Sequence, residues 1–156
     1  MPSIGLVGVG NIGRYFTRTL LAAGYPLTVV DIDPLRLQYA RDLGAQVCDN
    51  PAELAGQVDI VLLSLPGSPQ VEAVMEGPEG LLARLHAGQL VIDTGTSRPE
   101  ADIRYQRQCA TRGAGYLDAP ITWRSQGLII MVGGEPAIGT VQFGGLSPGV
   151  DRAATR

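Results

Sequence analysis

A glycine-rich turn near the start of the chain constrains the fold more than any other feature. The apolar run at residues 3–7 predicts a buried strand, and the amphipathic spacing at residues 11–23 predicts a helix. Between them, Gly8, Gly10 and Gly13 form the spacing Gly-x-Gly-x-x-Gly. A strand, a turn of this kind and a helix together predict a loop that holds a pyrophosphate at the helix N-terminus.

Each of the three positions in this turn requires glycine for a different steric reason. Gly8 permits the tight turn, Gly10 lets a pyrophosphate approach the backbone, and Gly13 lets the helix pack closely on the sheet. The alternative interpretation is a glycine-rich strand-to-helix turn that binds no ligand. The prediction assigns cofactor binding to the loop residues Gly8, Val9, Gly10, Asn11, Ile12 and Gly13.

An acidic residue follows the second predicted strand, at residues 27–30. Asp31 can accept hydrogen bonds from the ribose hydroxyls of NAD and would repel the 2′-phosphate of NADP. Its neighbour Ile32, also predicted at the cofactor, offers no positive charge. Arg36 is near enough in sequence to reach the site, but it is more simply interpreted as a solvated helix residue. We therefore expect NAD to be preferred over NADP.

The rest of the chain alternates between short aliphatic runs and helical patterns. Further strands are predicted at residues 46–48, 58–63, 90–93, 116–118 and 128–132, and further helices at residues 33–43, 68–76, 81–85 and 97–111, with another opening at Asn50. This alternation predicts an α/β, Rossmann-type, doubly wound and mostly parallel sheet. Residues 1–135 are expected to form one dinucleotide-binding domain, and residues 136–156 an irregular tail.

The composition of the chain disfavours some classes of binding partner. The chain has 156 residues, 45% hydrophobic and 17% charged, with a formal net charge of −3. This balance favours a globular protein and disfavours nucleic acid or an anionic membrane surface as partner. No apolar run reaches the ~20 residues of a membrane span, and no signal peptide is evident. Cys48, Cys109 and His86 lack metal-ligand spacing, so we expect no metal site and a cytoplasmic protein with reduced thiols.

Four stretches resemble one enzyme family in the same order. They are "IGLVGVGNIGRYFTRTLLAAGYPLTVVDIDP", "VDIVLLSLPGSPQVEAV", "GQLVIDTGTSRPE" and "YLDAPITW" followed by "IIMVGGEP". Together they resemble the β-hydroxyacid dehydrogenases, which include the 3-hydroxyisobutyrate and 6-phosphogluconate dehydrogenases. The resemblance covers residues 3–136. It implies an NAD-dependent oxidoreductase acting on a small 3-hydroxy acid.

The resemblance also implies roles for individual residues. Leu65 and Pro66 would line the cofactor cleft, and Thr96 would lie near the nicotinamide. Thr122 falls where the family has a substrate-binding serine, which makes it the candidate catalytic residue. The alternatives are structural: Pro66 ends a strand, Thr96 starts a helix, and Thr122 is a loop residue.

The chain also departs from the family. Gly95 replaces a serine, and Trp123 with Arg124 replaces a glycine pair in the substrate loop. The family's catalytic lysine has no counterpart, because the sequence contains no lysine, and the chain is expected to be truncated before the family's helical domain. Asp93 and Asp118 are interpreted as acceptors that cap loops. Three hypotheses remain. The chain is the cofactor domain of a dehydrogenase, whose helical part a separate chain or an intact parent protein would supply, or it is an NAD(H)-binding module without catalysis of its own. The third is a degenerate fragment without a biological role, whose exposed apolar sheet edge would favour aggregation.

Overall fold

The computed structural model describes residues 1–96, 98–124 and 127–130. Eight strands are present in this part of the chain. They are β1 (Ile4–Val7), β2 (Leu27–Val30), β3 (Gln46–Val47), β4 (Ile60–Leu63), β5 (Leu90–Asp93), β6 (Gly115–Asp118), β7 (Ile121–Arg124) and β8 (Gly127–Ile130).

Five α-helices connect the strands of the main sheet. They are α1 (Asn11–Ala22), α2 (Pro34–Asp42), α3 (Pro51–Ala55), α4 (Ser68–Glu76) and α5 (Pro99–Ala110), with a short 3₁₀ helix at Leu81–Ala83. Two of the helices begin at side-chain caps. Asp33 accepts a hydrogen bond from the Leu35 backbone N–H at 2.9 Å, and Asn50 accepts one from the Glu53 N–H at 2.8 Å. Within the described ranges, no helix is long and apolar enough to cross a membrane.

The first six strands form one parallel sheet in the order β3-β2-β1-β4-β5-β6. This is the strand order of a Rossmann fold, and it reverses direction between β1 and β4. The register is continuous across the centre, with Val7 of β1 paired to Val30 of β2 and to Leu63 of β4. The loops that follow β1 and β4 therefore diverge from neighbouring strand ends and leave a crevice between them.

Helices cover both faces of the sheet. One core contains Phe16 and Leu20 of α1 and Ala40 of α2, and the other contains Met75 of α4 and Tyr105 of α5. Each central strand is buried along its whole length, because alternate residues project into the two cores. This arrangement confirms the predicted Rossmann-type, doubly wound α/β fold.

The end of the described chain differs from the sequence prediction. Residues 121–124 were interpreted as part of a substrate loop, but they form strand β7, which pairs antiparallel with β8 in a separate two-stranded sheet. The physical reason is local, since Ile121, Thr122 and Trp123 are β-branched or aromatic and favour extended backbone. The irregular tail predicted at residues 136–156 lies outside the described residues.

Candidate functional site

The loops after β1, β4 and β5 meet at the carboxyl edge of the sheet. Leu65, in the β4 loop, lies between the other two. Its Cδ2 is 3.2 Å from where a Cβ atom of Gly8 would lie, and its carbonyl oxygen is 3.3 Å from the same position at Gly95. The structure thus brings the predicted residues of these three segments to one crevice, where a Rossmann sheet binds its ligand.

The three glycines of the first loop have different surroundings. Gly8 has φ +95°, and a Cβ there would overlap the carbonyl oxygen of Ser64. A Cβ at Gly13 would overlap the carbonyl oxygen of Gly8. Gly8 and Gly13 are therefore required by the packing of the protein itself.

Gly10 differs, because the space beside it is open. A Cβ at this position would meet only the Arg36 guanidinium, 4.0 Å away. Gly10 is also the N-cap of α1 and provides no side-chain cap, and the first turn of α1 carries no acidic residue. The backbone N–H groups of Asn11, Ile12 and Gly13 belong to that first turn, where an anion is stabilised by the helix dipole. This cradle fits a pyrophosphate group.

The Asp31 carboxylate is tied to this loop. Its Oδ2 accepts a hydrogen bond from the Val9 backbone N–H at 2.6 Å, and its Oδ1 accepts one from the Asp33 N–H at 2.9 Å. The side chain is only 3% exposed. Because each carboxylate oxygen has two lone pairs, both oxygens keep acceptor capacity for a ribose hydroxyl.

Arg36 reaches the same carboxylate, contrary to its interpretation as a solvated helix residue. Its Nη1 lies 3.6 Å from Asp31 Oδ2, and its Nε lies 3.4 Å from Asp33 Oδ2. The reason is geometric: α2 begins directly after Asp33, so its first turn projects Arg36 back over the end of β2. A cation therefore stands beside the residue that was expected to exclude a 2′-phosphate.

An apolar flank adjoins Asp31. Ile32 is fully exposed, and Leu35 is 77% exposed. Exposed apolar side chains beside a polar site are a common feature of ligand-binding surfaces. The position of Ile32 at the cofactor stays a prediction.

For the remaining predicted residues the structure gives the exposure or the strand pairing. Leu65 is half-buried against the core, Pro66 is exposed, and Thr96 is exposed two residues after the buried Thr94. Thr122 pairs with Ile129 across the β7–β8 ladder. The position of the Thr122 side chain lies outside the described part of the chain, so its catalytic role stays a prediction.

A group of buried polar side chains lies beside the β5 loop, and the sequence did not predict the contacts among them. The Tyr116 hydroxyl lies 3.2 Å from Asp93 Oδ2 and 3.4 Å from Asp102 Oδ1. Asp93 also accepts a hydrogen bond from the Gly95 backbone N–H at 2.9 Å, which confirms its interpretation as a loop-capping acceptor. Asp118 instead has a buried Oδ1 without a hydrogen-bond partner among the described residues.

Burial changes the acidity of this group. It raises the pKa of Asp102 to about 6, assisted by the charges of Asp118 and Asp93. Burial and the charge of Asp93 raise the pKa of Asp118 as well. A signal for Asp102 exists in the sequence, because Tyr105 and Cys109 mark the buried face of α5 and Asp102 precedes Tyr105 by three residues. In the described ranges, no group of three or more His, Cys, Asp or Glu side chains is arranged to hold a metal ion.

The sequence matches one family model over most of its length. Residues 3–141 match the family described as the NAD binding domain of 6-phosphogluconate dehydrogenase. Mouse mitochondrial 3-hydroxyisobutyrate dehydrogenase is 33% identical over 136 residues, which are 84% of this chain and 41% of the mouse protein.

Solved structures show the same similarity. The 3-hydroxyisobutyrate dehydrogenase of Mycobacterium tuberculosis, determined with L-serine, superposes with a TM-score of 0.79 at 26% identity and covers 87% of this chain and 47% of that one. A structure described as Psf3 in complex with NADP⁺ and 2-OPP gives a TM-score of 0.79 at 27% identity, covering 85% of this chain and 49% of that one. The chain thus spans less than half the length of each of these proteins.

Proposed function

Because the chain belongs to the family of the NAD binding domain of 6-phosphogluconate dehydrogenase, we propose that it binds NAD(H) as the cofactor part of an oxidoreductase. The substrate would be a small 3-hydroxy acid, as the names of the similar dehydrogenases suggest. One observation carries the proposal. The space beside Gly10, at the first turn of α1, is open, whereas a Cβ atom at Gly8 or Gly13 would overlap backbone atoms of the protein itself.

In this proposal each part of the crevice has one task. The N–H groups at the start of α1 hold the pyrophosphate, the Asp31 carboxylate accepts the adenosine ribose hydroxyls, and Ile32 contacts the adenine. Leu65, Pro66 and Thr96 line the path toward the nicotinamide end, since the three loops meet around Leu65. When bound, the cofactor would accept or donate the hydride, and this chain would bind and orient it.

We propose NAD as the preferred cofactor, with a preference that Arg36 reduces. The Asp31 carboxylate repels a 2′-phosphate, but the guanidinium 3.6 Å away would attract one. The relative described as a complex with NADP⁺ shows that this fold accommodates the phosphorylated cofactor in another protein. The preference of this chain therefore depends on which of the two charges faces the ribose.

Calorimetric titration with NADH tests the binding proposal. Gly10→Ala fits the protein without strain, since the backbone there has φ −72° and the space is open, but its methyl group would occupy the approach to the pyrophosphate. Gly56→Ala is the matched control, because its Cβ would make only ordinary contacts beside α3. We expect micromolar NADH binding that Gly10→Ala weakens and Gly56→Ala does not. A folded chain that binds neither NADH nor NADPH would refute the proposal.

A second candidate function is binding of NAD(H) without turnover by these 156 residues. The absence of lysine from the sequence favours it, because arginine, with its high pKa, cannot exchange a proton with a substrate hydroxyl near neutral pH. A separate chain would then supply the proton-transfer group, and Thr122 would contribute only to substrate binding. Turnover of 3-hydroxy acids by the purified chain alone would exclude this second function.

We also propose a cytoplasmic location. Cys48 and Cys109 are both buried and free, in keeping with a reducing compartment. Burial raises the pKa of Cys48 to about 12 and that of Cys109 to about 11, so both thiols would stay protonated and unreactive. Fractionation of cells expressing the natural gene would test the location directly.

A further inference from the structure

Tyr116 joins three elements of the fold through one hydroxyl group. The side chain is buried on β6, and its Oη lies 3.2 Å from Asp93 Oδ2 on β5 and 3.4 Å from Asp102 Oδ1 on α5. Asp93 is fully buried, and Asp102 is 7% exposed. The hydroxyl therefore stands between two carboxyl groups that have little access to water.

A hydroxyl group carries one hydrogen, so it can donate to only one of these two oxygens at a time. The shorter contact places that hydrogen toward Asp93. The contact with Asp102 is then favourable only when Asp102 itself is protonated and donates to the Tyr116 oxygen. In this arrangement the Tyr116 hydrogen lies between Tyr116 and Asp93, and the hydrogen of protonated Asp102 lies between Asp102 and Tyr116.

The surroundings of Asp102 favour its protonated form. Burial, together with the charges of Asp118 on β6 and Asp93 on β5, raises the pKa of Asp102, whereas a hydrogen bond donated to it by the Tyr116 hydroxyl would lower that pKa. Asp118 pairs in register with Asp93, so their carboxyl groups project from the same side of the sheet. An ionised Asp102 would add a negative charge beside these two carboxyl groups, in a space that is poorly hydrated.

Asp93 in turn holds the loop at the cofactor crevice. Its Oδ1 accepts a hydrogen bond from the Gly95 backbone N–H at 2.9 Å, and its backbone oxygen accepts one from the Ala119 N–H at 2.8 Å. Gly95 is the residue whose Cβ position lies 3.3 Å from the Leu65 carbonyl oxygen. A change at Asp93 is therefore transmitted to the β5 loop, next to Thr96.

We propose that Tyr116 is a positioning residue: its hydroxyl accepts a hydrogen bond from protonated Asp102 and donates one to Asp93, which fixes the β5 loop against the cofactor crevice. The loop is then held in one position while Asp102 is protonated and is released when Asp102 ionises. The inference rests on the proposed function only in assigning the β5 loop to the nicotinamide end of a bound cofactor.

The Gly95 backbone amide provides a direct probe, because its N–H is bonded to Asp93. In amide NMR spectra of the 156-residue chain recorded from pH 4.5 to 8, we expect the Gly95 signal to follow one transition with a midpoint near pH 6. Asp102→Asn is isosteric with the protonated carboxyl group and should hold Gly95 at its low-pH position throughout. A Gly95 signal that does not move with pH, or that still titrates near pH 6 in Asp102→Asn, would overturn the proposal.

Substitution of Tyr116 distinguishes this arrangement from a purely structural role. Tyr116→Phe removes the acceptor of the hydrogen bond from protonated Asp102, so the midpoint should fall by about one pH unit. If Tyr116 instead donated to an ionised Asp102, the same substitution would raise the midpoint. Tyr105→Phe is the matched control, since its buried ring packs 5.8 Å from that of Tyr116 but its hydroxyl contacts Arg104. A midpoint that rises in Tyr116→Phe, or that falls equally in Tyr105→Phe, would contradict the proposal.

The NADH affinity adds a readout at the level of the cofactor. We expect the dissociation constant for NADH to increase about threefold between pH 5.5 and 7.5 in the natural chain and to stay constant in Asp102→Asn. NADH binding that changes equally with pH in both would contradict the loop's role at the cofactor. An absence of NADH binding at every pH would refute the proposed function, and the Gly95 titration would still decide the role of Tyr116.

Discussion

The backbone N–H of Val9 donates a 2.6 Å hydrogen bond to the Asp31 carboxylate, which joins the glycine loop to the end of the neighbouring strand. The two features that the sequence assigned to cofactor binding are thus one connected unit. A second hydrogen bond, from the Asp33 N–H, fixes the other carboxylate oxygen. The direction in which Asp31 offers its remaining lone pairs is therefore set before any ligand binds.

Removal of the Asp31 charge should weaken NADH binding. Asp31→Asn keeps the size of the side chain but loses a charged acceptor for the ribose hydroxyls, so the affinity for NADH should fall about tenfold. Calorimetric titration measures this change. Asp33→Asn is the control, because asparagine caps α2 as well as aspartate does. Equal losses in the two variants would show that the general charge of the segment matters, rather than Asp31.

Arg36 should affect NADPH more than NADH. Arg36→Gln removes the cation that lies 3.6 Å from Asp31, and we expect NADPH affinity to fall about tenfold while NADH affinity changes by less than about twofold. Arg41→Gln, on the last turn of the same helix, controls for the loss of one positive charge. If Arg36→Gln leaves the ratio of the two affinities unchanged, Arg36 has no part in cofactor choice.

Two glycines of the same loop should respond differently to alanine. A Cβ at Gly13 would overlap the Gly8 carbonyl oxygen, so Gly13→Ala should lower the free energy of unfolding by about 1–3 kcal/mol. Gly10→Ala should cost less, about 0.5–1 kcal/mol, because the space beside Gly10 is open and only the poorer N-cap of α1 opposes the change. Urea denaturation of the two variants measures the difference. A stable Gly13→Ala variant would mean that α1 can move away from the loop.

The stability of the chain should depend on pH through Asp102. Its pKa is raised from 3.8 to about 6 in the folded chain, so the folded state binds more protons than the unfolded state between these values. The contribution of Asp102 is complete below pH 3.8, is lost as the pH rises to about 6, and stays lost above that.

Asp102→Asn removes this dependence. Relative to the natural chain, the variant should gain stability with rising pH, by on the order of 2 kcal/mol between pH 4 and pH 7. Urea denaturation at a series of pH values measures the gain, and Asp49→Asn, at an exposed position, serves as the control. A constant difference between Asp102→Asn and the natural chain across this range would show that Asp102 is already ionised in the folded protein.

Most of the main sheet was predictable, because its signals are local. The aliphatic runs at β1, β2, β4 and β5 and the proline-initiated helix α2 were found with bounds close to those observed, and the start of α3 was found at its Asn50 cap. Strand β7 was missed because Ile121–Arg124 was interpreted through its position in a family motif, although its own residues favour extended backbone.

The candidate site was predicted in part. The sequence identified the glycine loop, Asp31 and the β4 loop, since each follows a predicted strand at a position where a Rossmann sheet binds ligands. It misjudged Arg36 and did not identify Asp102. Both residues lie on helices with many polar positions, and composition alone does not say which of those positions turn toward the sheet.

The strands of the main sheet, the helices between them and the steric need for glycine in the first loop were predictable from the sequence, because these features depend on residues that are close along the chain. Only the tertiary structure decided which distant side chains meet. Arg36 reaches Asp31, and Tyr116 stands between Asp93 and Asp102, because the rotation of each helix and the register of each strand bring them within hydrogen-bond or ion-pair distance. Rotation and register follow from packing across the whole core, which no local pattern specifies.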